Sequence, residues 1–165
     1  MSEMNVEFVN EMKEMYDLTD EERQLLAEMK PALEKHAPEI VDTFYEHLEN
    51  YEATRAILHA ESGRIERLKG HLNAWLIGLA EGTYENAYFQ RRYRIGARHV
   101  EVGLEPRYVL AAMAFCRQTA AQKIIEAEYA DDPQREARGQ VLDKIMDLDL
   151  NIMLQSYDDK RIQQF

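Results

Sequence analysis

The 165-residue sequence has few of the residues that interrupt helices or cross-link chains: seven glycines, four prolines and one cysteine. The single cysteine, Cys116, cannot form an intramolecular disulfide, and no Cys-x-x-Cys pair is present to hold zinc. The sequence therefore argues against a disulfide scaffold and against a zinc module. It fits a protein kept in a reducing compartment.

Positive charge and long apolar runs are also scarce. Lys and Arg total 20 against 31 Asp and Glu, which gives a formal net charge of -11. Nucleic acids and anionic membranes attract dense positive charge, so we expect neither as a partner. The longest apolar tract, residues 74–80, is far shorter than the roughly 18 residues of a membrane span. The acidic amino terminus does not resemble a signal peptide, and we expect a cytoplasmic protein.

Apolar residues recur at spacings of three and four through most of the sequence, which predicts an all-α bundle of about seven helices. Thr19 and Glu22 form a capping box at one helix start, and a short helix from about Val6 to Tyr16 precedes it. Pro31 should kink or end the first turns of that capped helix. The predicted starts of the later helices are Pro38, Ser62, Thr83, Pro106 and the pair Asp132–Pro133.

The last helix carries two apolar stripes, which together are wider than one intramolecular contact needs. The stripes are Val141/Ile145/Leu148/Ile152 and Leu142/Met146/Leu150/Met153/Tyr157. We expect the first stripe to pack on the core and the second to be covered by another copy of the chain. A homodimer through the last two helices follows, with Ala112 and Ala120 letting partner helices approach closely.

The sequence contains no recognisable enzyme motif. Gly-rich phosphate loops, His-Glu-x-x-His and a Ser or Cys nucleophile motif are all absent. A di-iron carboxylate bundle needs Glu-x-x-His pairs. The residues three before the five histidines are Leu33, Phe44, Ala56, Leu68 and Gly96, none of them acidic. These absences argue against a hydrolase, a kinase and a di-iron enzyme.

Five histidines and nine tyrosines remain as candidates. His36, His47 and His59 lie beside charged residues or near predicted helix ends, which favours solvated or structural roles. His99 lies on a helix face with Tyr88, Arg92, Ile95 and Val102. Spacing alone does not distinguish an iron ligand there from a core histidine. Similarly, Tyr45 could be a core residue whose hydroxyl reaches the surface.

The segment at residues 93–108, YRIGARHVEVGLEPRY, resembles the Ile-Gly-x-x-His-x-x-x-Gly-Leu-x-Pro signature of globin-coupled sensors and protoglobins. The resemblance extends upstream to Phe44-Tyr45 and Leu68, and the helix order is similar from about residue 18 to residue 158. An extra helix before Thr19 is also a trait of the family. The resemblance implies a globin fold, with an additional N-terminal helix at 1–17 and a haem-binding sensor globin domain at 18–165.

The same resemblance implies the roles of individual residues. His99 corresponds to the proximal ligand of haem b (iron protoporphyrin IX), and Tyr45 corresponds to a distal hydrogen-bond donor. Leu68 and Leu72 match the apolar positions of the distal helix, and Trp75 extends that apolar wall. His71, at the edge of the stripe, is a candidate contact of a haem propionate. Dioxygen and other diatomic gases are the implied ligands.

The resemblance is strongest to the sensor globin of a globin-coupled histidine kinase, although no kinase is present in the sequence. It implies an oxygen sensor that relays ligand state to a C-terminal output domain. The signal would pass from His99 through Gly103–Leu104 into the helix that begins at Pro106. The alternatives are an oxygen-binding or carrier globin and a cofactor-free helical dimerisation module.

Overall fold

The computed structural model describes residues 3–163, and this part of the chain is mostly helical, with no strand. Its helices are α1 (Val6–Tyr16), α2 (Asp20–Glu28), α3 (Lys30–Leu48), α4 (Glu52–Leu58), α5 (Arg64–Gly78), α6 (Asn86–Glu101), α7 (Pro106–Ala120) and α8 (Arg135–Gln163). A π-helical segment, Ala121–Glu126, continues α7. The predicted all-α class is confirmed. The predicted extension of the last helix to Phe165 falls partly outside the described residues.

The first two helices begin where the sequence predicts. Asn5 caps α1, because its side chain accepts hydrogen bonds from the amides of Glu7 and Phe8. The amide of Glu22 donates to Thr19 Oγ1 at 3.2 Å, and the amide of Thr19 donates to Glu22 Oε1 at 3.0 Å. The capping box is therefore present, and it satisfies two amides that the first turn of α2 leaves unpaired.

The predicted helix start at Pro38 is wrong, because Pro38 lies inside α3. That helix begins at Lys30, and Pro31 occupies its first turn, where a missing amide costs nothing. Leu33, Ala37 and Ile40 form a buried row on both sides of Pro38. Since Pro38 itself is exposed, packing of this row keeps the helix continuous across it.

Other helix starts differ from the predictions by a few residues. Gly63, in the left-handed region at φ 77°, precedes α5 in place of a Ser62 cap. Glu85 precedes α6 in place of Thr83, and α8 begins two residues after Pro133. The short helix α4 was not predicted. It has only seven residues and no side-chain cap, so its sequence carries neither of the signals used for the longer helices.

Helix α8 lies at the centre of the fold, where it packs against α6, α2, α7 and α1. Both of its apolar stripes are buried within one chain: Val141, Ile145, Leu148 and Ile152 on one side, and Leu142, Met146, Leu150 and Met153 on the other. The expectation that the second stripe lies open to a partner is therefore wrong. A helix surrounded by neighbours buries apolar residues around most of its circumference.

The closest approach in the core joins α6 to α8. A Cβ built on Gly96 would collide with the carbonyl oxygen of Met153 and the hydroxyl of Ser156. Nearby, the Tyr157 hydroxyl donates to the carbonyl of Leu104 at 2.6 Å. These contacts fix the end of α6, and with it the position of the functional site. Within residues 3–163, no helix is long and apolar enough to cross a membrane.

Candidate functional site

A cavity of about 360 Å³ lies between α3, α4, α5, α6 and α7. Its size falls in the range of small-molecule sites. All six residues predicted from the sequence line it: Tyr45, Leu68, His71, Leu72, Trp75 and His99. The fold thus brings together side chains from three helices that lie up to 54 positions apart in the sequence.

His99 lies on the last turns of α6, and its ring faces the cavity. Its Nδ1 atom is buried and has no hydrogen-bond partner within the described part of the chain. Burial lowers the pKa of His99 to about 4, so the imidazole is neutral at physiological pH. A neutral imidazole is the form that coordinates a metal.

Tyr45 and Cys116 are two further buried groups on the cavity wall, and they come from different helices. Helices α3 and α7 cross here. The ring centres of Phe44 on α3 and Phe115 on α7 lie 6.5 Å apart. The ring of His47 stacks on that of Phe115, with 4.0 Å between the two ring centres. Burial raises the pKa of Tyr45, and the adjacent Cys116 contributes in the same direction. The phenol is therefore a protonated donor at neutral pH.

The apolar part of the wall comes mainly from α5. Leu68, Leu72 and Trp75 recur at spacings of four and three, so they share one helix face. A hydrogen bond to α8 fixes the position of the Trp75 side chain, because its Nε1 donates to Asp149 Oδ2 at 3.1 Å. An apolar wall excludes water from the cavity and lowers the local dielectric.

Asp149 is fully buried and collects three donors on one oxygen. Besides Trp75, the Tyr88 hydroxyl lies 2.9 Å from Oδ2 and Arg92 Nε lies 3.0 Å from it. The Arg92 guanidinium also lies over the Tyr88 ring, with its Cζ atom 3.6 Å from the ring centre. We call Trp75, Tyr88, Arg92 and Asp149 the Asp149 cluster. It joins the cavity wall to α6 and α8.

Basic side chains surround the mouth of the cavity, and sequence reasoning missed most of them. Arg64, Arg67 and Arg98 join His71 among the lining residues. Arg64 Nη2 lies 2.9 Å from Glu61 Oε2, and Arg67 Nη2 lies 3.4 Å from the same oxygen. A signal was available, because Arg64, Arg67 and His71 share the face of α5 that carries Leu68 and Leu72.

The other three histidines do not line the cavity. His36 Nε2 lies 2.7 Å from Glu128, and His59 Nε2 lies 2.8 Å from Glu49. His47 stacks on Phe115. These contacts agree with the solvated or structural roles expected for them. Within residues 3–163, no group of three or more His, Cys, Asp or Glu side chains is arranged to hold a metal ion. Any metal here would need a cofactor to supply its other ligands.

Comparison with known proteins decides the family. The protoglobin family profile matches residues 7–162. The chain belongs to the protoglobin family. This protoglobin is 33% identical in sequence to the globin domain of a globin-coupled sensor from Geobacter sulfurreducens, with a TM-score of 0.82 over 95% of this chain and 99% of that domain. The predicted globin domain of the globin-coupled-sensor type is confirmed.

Two further relatives match this chain, one by sequence and one by structure. The protoglobin is 31% identical over 156 residues to the heme-based aerotactic transducer HemAT of Halobacterium salinarum, which covers 89% of this chain and 32% of that protein. It thus spans about a third of the length of this curated relative. The ferric globin domain of DosC from E. coli matches with a TM-score of 0.72 at 15% identity, over 89% of this chain and 97% of that domain. At that identity the likeness concerns the fold alone.

Proposed function

We propose that this protoglobin is a haem-based sensor domain for diatomic gases, dioxygen above all, and that His99 is the proximal ligand of its haem. One observation carries the proposal: a neutral imidazole with a buried, unpaired nitrogen lies in a largely apolar cavity that also contains a protonated tyrosine. Family membership and the names of the relatives support haem as the group that belongs there.

The residues of the cavity fit haem b in three respects. His99 offers a neutral nitrogen ligand, Leu68 and Leu72 offer apolar contact to a porphyrin ring, and the mouth is basic. Arg64 and His71 are the residues we assign to the propionates, because both lie on one face of α5 at the mouth. Haem held in this way would supply an iron that binds a gas ligand.

The remaining residues give the cavity its selectivity. Tyr45 donates a hydrogen bond to a polar gas ligand such as dioxygen, whereas carbon monoxide gains little from a donor. Leu68, Leu72 and Trp75 keep water away from the ferrous iron and thereby slow its oxidation. None of these residues is a nucleophile or a general base in an enzyme motif, so we propose a binding role and no catalytic one.

The signal has a direct structural route from α6 to α8. Gly96, three residues before His99, lies against Met153 and Ser156 of α8, and Tyr157 of α8 binds the carbonyl of Leu104. We propose that a shift of His99 reaches α8 through these contacts, and the route through Gly103–Leu104 into α7 expected from the sequence stays a prediction beside it. We propose that α8 relays ligand state to an output domain of the full-length protein. That the output domain is a histidine kinase is a prediction that rests on the sequence resemblance.

A homodimer remains part of the proposal, but on a different surface. Ala120 and Met146 are fully buried within the chain, and Ala112 lines the cavity, so none of them is free for a partner. The outer face of α7 instead exposes Leu110 together with the small residues Ala111 and Ala114. We propose that this face of α7 meets its counterpart in a second copy. Light scattering on Leu110→Glu at micromolar concentration tests this, with a monomer as the expected result.

The test of the haem assignment is reconstitution of the purified protein with haem, followed by absorption spectroscopy. We expect an intense Soret band from the wild type and His59→Ala, and its near-complete loss from His99→Ala. A pyridine haemochrome spectrum identifies the haem as type b. A five-coordinate histidine-haem spectrum that persists in His99→Ala refutes the ligand assignment. A wild-type protein that takes up no haem refutes the function and favours a cofactor-free module.

A further inference from the structure

Two polar side chains of the cavity have no hydrogen-bond partner in the described residues: the phenol of Tyr45 and the thiol of Cys116. Tyr45 is 8% exposed and Cys116 is 3% exposed, so both side chains are largely shielded from bulk water and reach open space only at the cavity. A buried polar group without a partner costs free energy. Two such groups on the wall of one cavity indicate that a bound molecule supplies the missing partner.

The fold brings these two groups to the same part of the cavity. The aromatic contacts between Phe44, His47 and Phe115 hold α3 against α7 at the positions next to Tyr45 and Cys116. Cys116 lies close enough to Tyr45 to help raise the pKa of the phenol. They form no hydrogen bond with one another, so both remain free to contact a ligand.

From this geometry we infer that Cys116 is a second residue that contacts the gas ligand and that it acts together with Tyr45 to favour dioxygen over carbon monoxide. The inference rests on the proposed haem function and adds a specificity-determining residue on α7. A thiol is a weak donor and a weak acceptor. Bound dioxygen would be a better hydrogen-bond acceptor than carbon monoxide, so a second donor would favour dioxygen.

Packing alone is the competing explanation, since free cysteines are commonly buried as small apolar residues. Serine and alanine separate the two explanations. Serine keeps nearly the same shape and replaces a weak donor by a stronger one, whereas alanine removes the donor. A polar role predicts opposite effects of Cys116→Ser and Cys116→Ala on dioxygen release. A packing role predicts effects in the same direction, shared by dioxygen and carbon monoxide.

The first measurement uses the thiol itself as a probe. Because the sequence contains one cysteine, the infrared S–H stretching band of the protein belongs to Cys116. We expect this band to differ between the dioxygen-bound and carbon monoxide-bound wild-type proteins. In haem-free protein we expect Tyr45→Phe to shift the band, because the neighbouring hydroxyl is removed. The haem-free experiment retains its meaning even if the proposed haem function fails.

The second measurement is the dissociation rate of each gas from haem-loaded protein. We expect Cys116→Ala to release dioxygen about two- to fivefold faster and Cys116→Ser to release it more slowly by a similar factor, with carbon monoxide release changed much less. Ala121→Ser is the control, because it introduces a hydroxyl at an exposed position just after α7, outside the cavity. It should leave the dioxygen rate near that of the wild type.

Three results would overturn the inference. The first is an S–H band that is identical in the dioxygen and carbon monoxide forms. The second is a shift of both Cys116 variants in the same direction. The third is a haem-free S–H band that does not respond to Tyr45→Phe, because the two groups would then not form a pair. In contrast, the absence of a Soret band in the wild type counts against the proposed haem function and leaves the haem-free result to decide the pairing.

Discussion

The cavity and the interface between α6 and α8 use buried polar side chains in opposite ways. In the interface, Tyr88, Arg92 and Tyr157 each donate to an acceptor on another segment of the same chain, although Arg92 Nη2 and Asp149 Oδ1 have no partner among the described residues. In the cavity, His99 and Tyr45 make no side-chain hydrogen bond to any described residue. Polar groups that bond within the chain contribute to its stability. Groups that line the cavity without such partners are available to a ligand, and removing them breaks no hydrogen bond within the chain.

This contrast makes a testable division between residues. Substitutions in the interface should lower the free energy of unfolding and affect ligand binding indirectly. Substitutions in the cavity should change ligand binding and leave the free energy of unfolding of the haem-free protein almost unchanged. Each prediction below compares one variant with a matched control, and the expected loss of stability decreases from the first to the last.

Asp149→Ala should have the largest effect. It leaves the Arg92 guanidinium buried without its carboxylate and also removes the acceptor of Trp75 and Tyr88. Breaking a buried ion pair in this way typically costs about 3–5 kcal/mol. Urea denaturation of the haem-free protein measures the loss, with Asp143→Ala, at an exposed position of α8, as the control. A loss no larger than that of the control would mean that the Asp149 cluster does not hold α6 and α8 together.

Gly96→Ala tests the closest approach between the two helices. The added methyl group must displace the backbone of Met153 or the side chain of Ser156. Overpacking of this kind costs about 1–3 kcal/mol. Gly70→Ala is the control, because a Cβ there meets nothing within 4 Å. In that exposed helical position alanine should stabilise the protein by about 0.5–1 kcal/mol. Equal effects of the two alanine variants on the urea midpoint would contradict the proposed contact.

Tyr157→Phe removes one hydrogen bond from the same interface. The bond joins α8 to Leu104, just beyond the end of the helix that carries His99. Its loss should cost about 1 kcal/mol. Tyr51→Phe, at an exposed position with no hydrogen bond of the hydroxyl among the described residues, should cost much less. Hydrogen exchange of α8 before and after carbon monoxide binding gives a second readout. We expect the ligand-dependent difference to shrink in Tyr157→Phe and to persist in Tyr51→Phe.

The sequence predicts the long helices well and the burial of α8 poorly, for a physical reason. Local spacing and caps determine α1 and α2, and Thr19 and Glu22 need no distant partner. Whether Met146 faces solvent or core depends on how many other helices surround α8, which no local pattern records. The helix α4 is missed because its seven residues are held by packing and lack caps.

The cavity shows the same division between local and distant information. The segment around His99 carries a recognisable signature, and resemblance then pointed to Tyr45, Leu68 and Leu72. The role proposed for Cys116 depends on the crossing of α3 and α7, and its position on α7 gives no local hint of it. The basic mouth was visible in the spacing of Arg64 and Arg67, but only once the face of α5 was known to line a cavity.

Tyr45→Phe should have the smallest effect on stability and a clear effect on ligand release. The hydroxyl has no protein partner in residues 3–163, so its removal breaks no hydrogen bond and should change the free energy of unfolding of the haem-free protein by less than about 0.5 kcal/mol. With haem bound, the loss of a donor to dioxygen should speed its release by about 2- to 13-fold, which corresponds to about 0.5–1.5 kcal/mol. Carbon monoxide release should change much less.

Tyr108→Phe is the matched control, because Tyr108 also lines the cavity. Stopped-flow measurement of both gases, together with urea denaturation, checks the prediction. An unchanged dioxygen rate would remove Tyr45 from the distal role, and a large loss of stability would place its hydroxyl among the structural groups and break the contrast between cavity and interface.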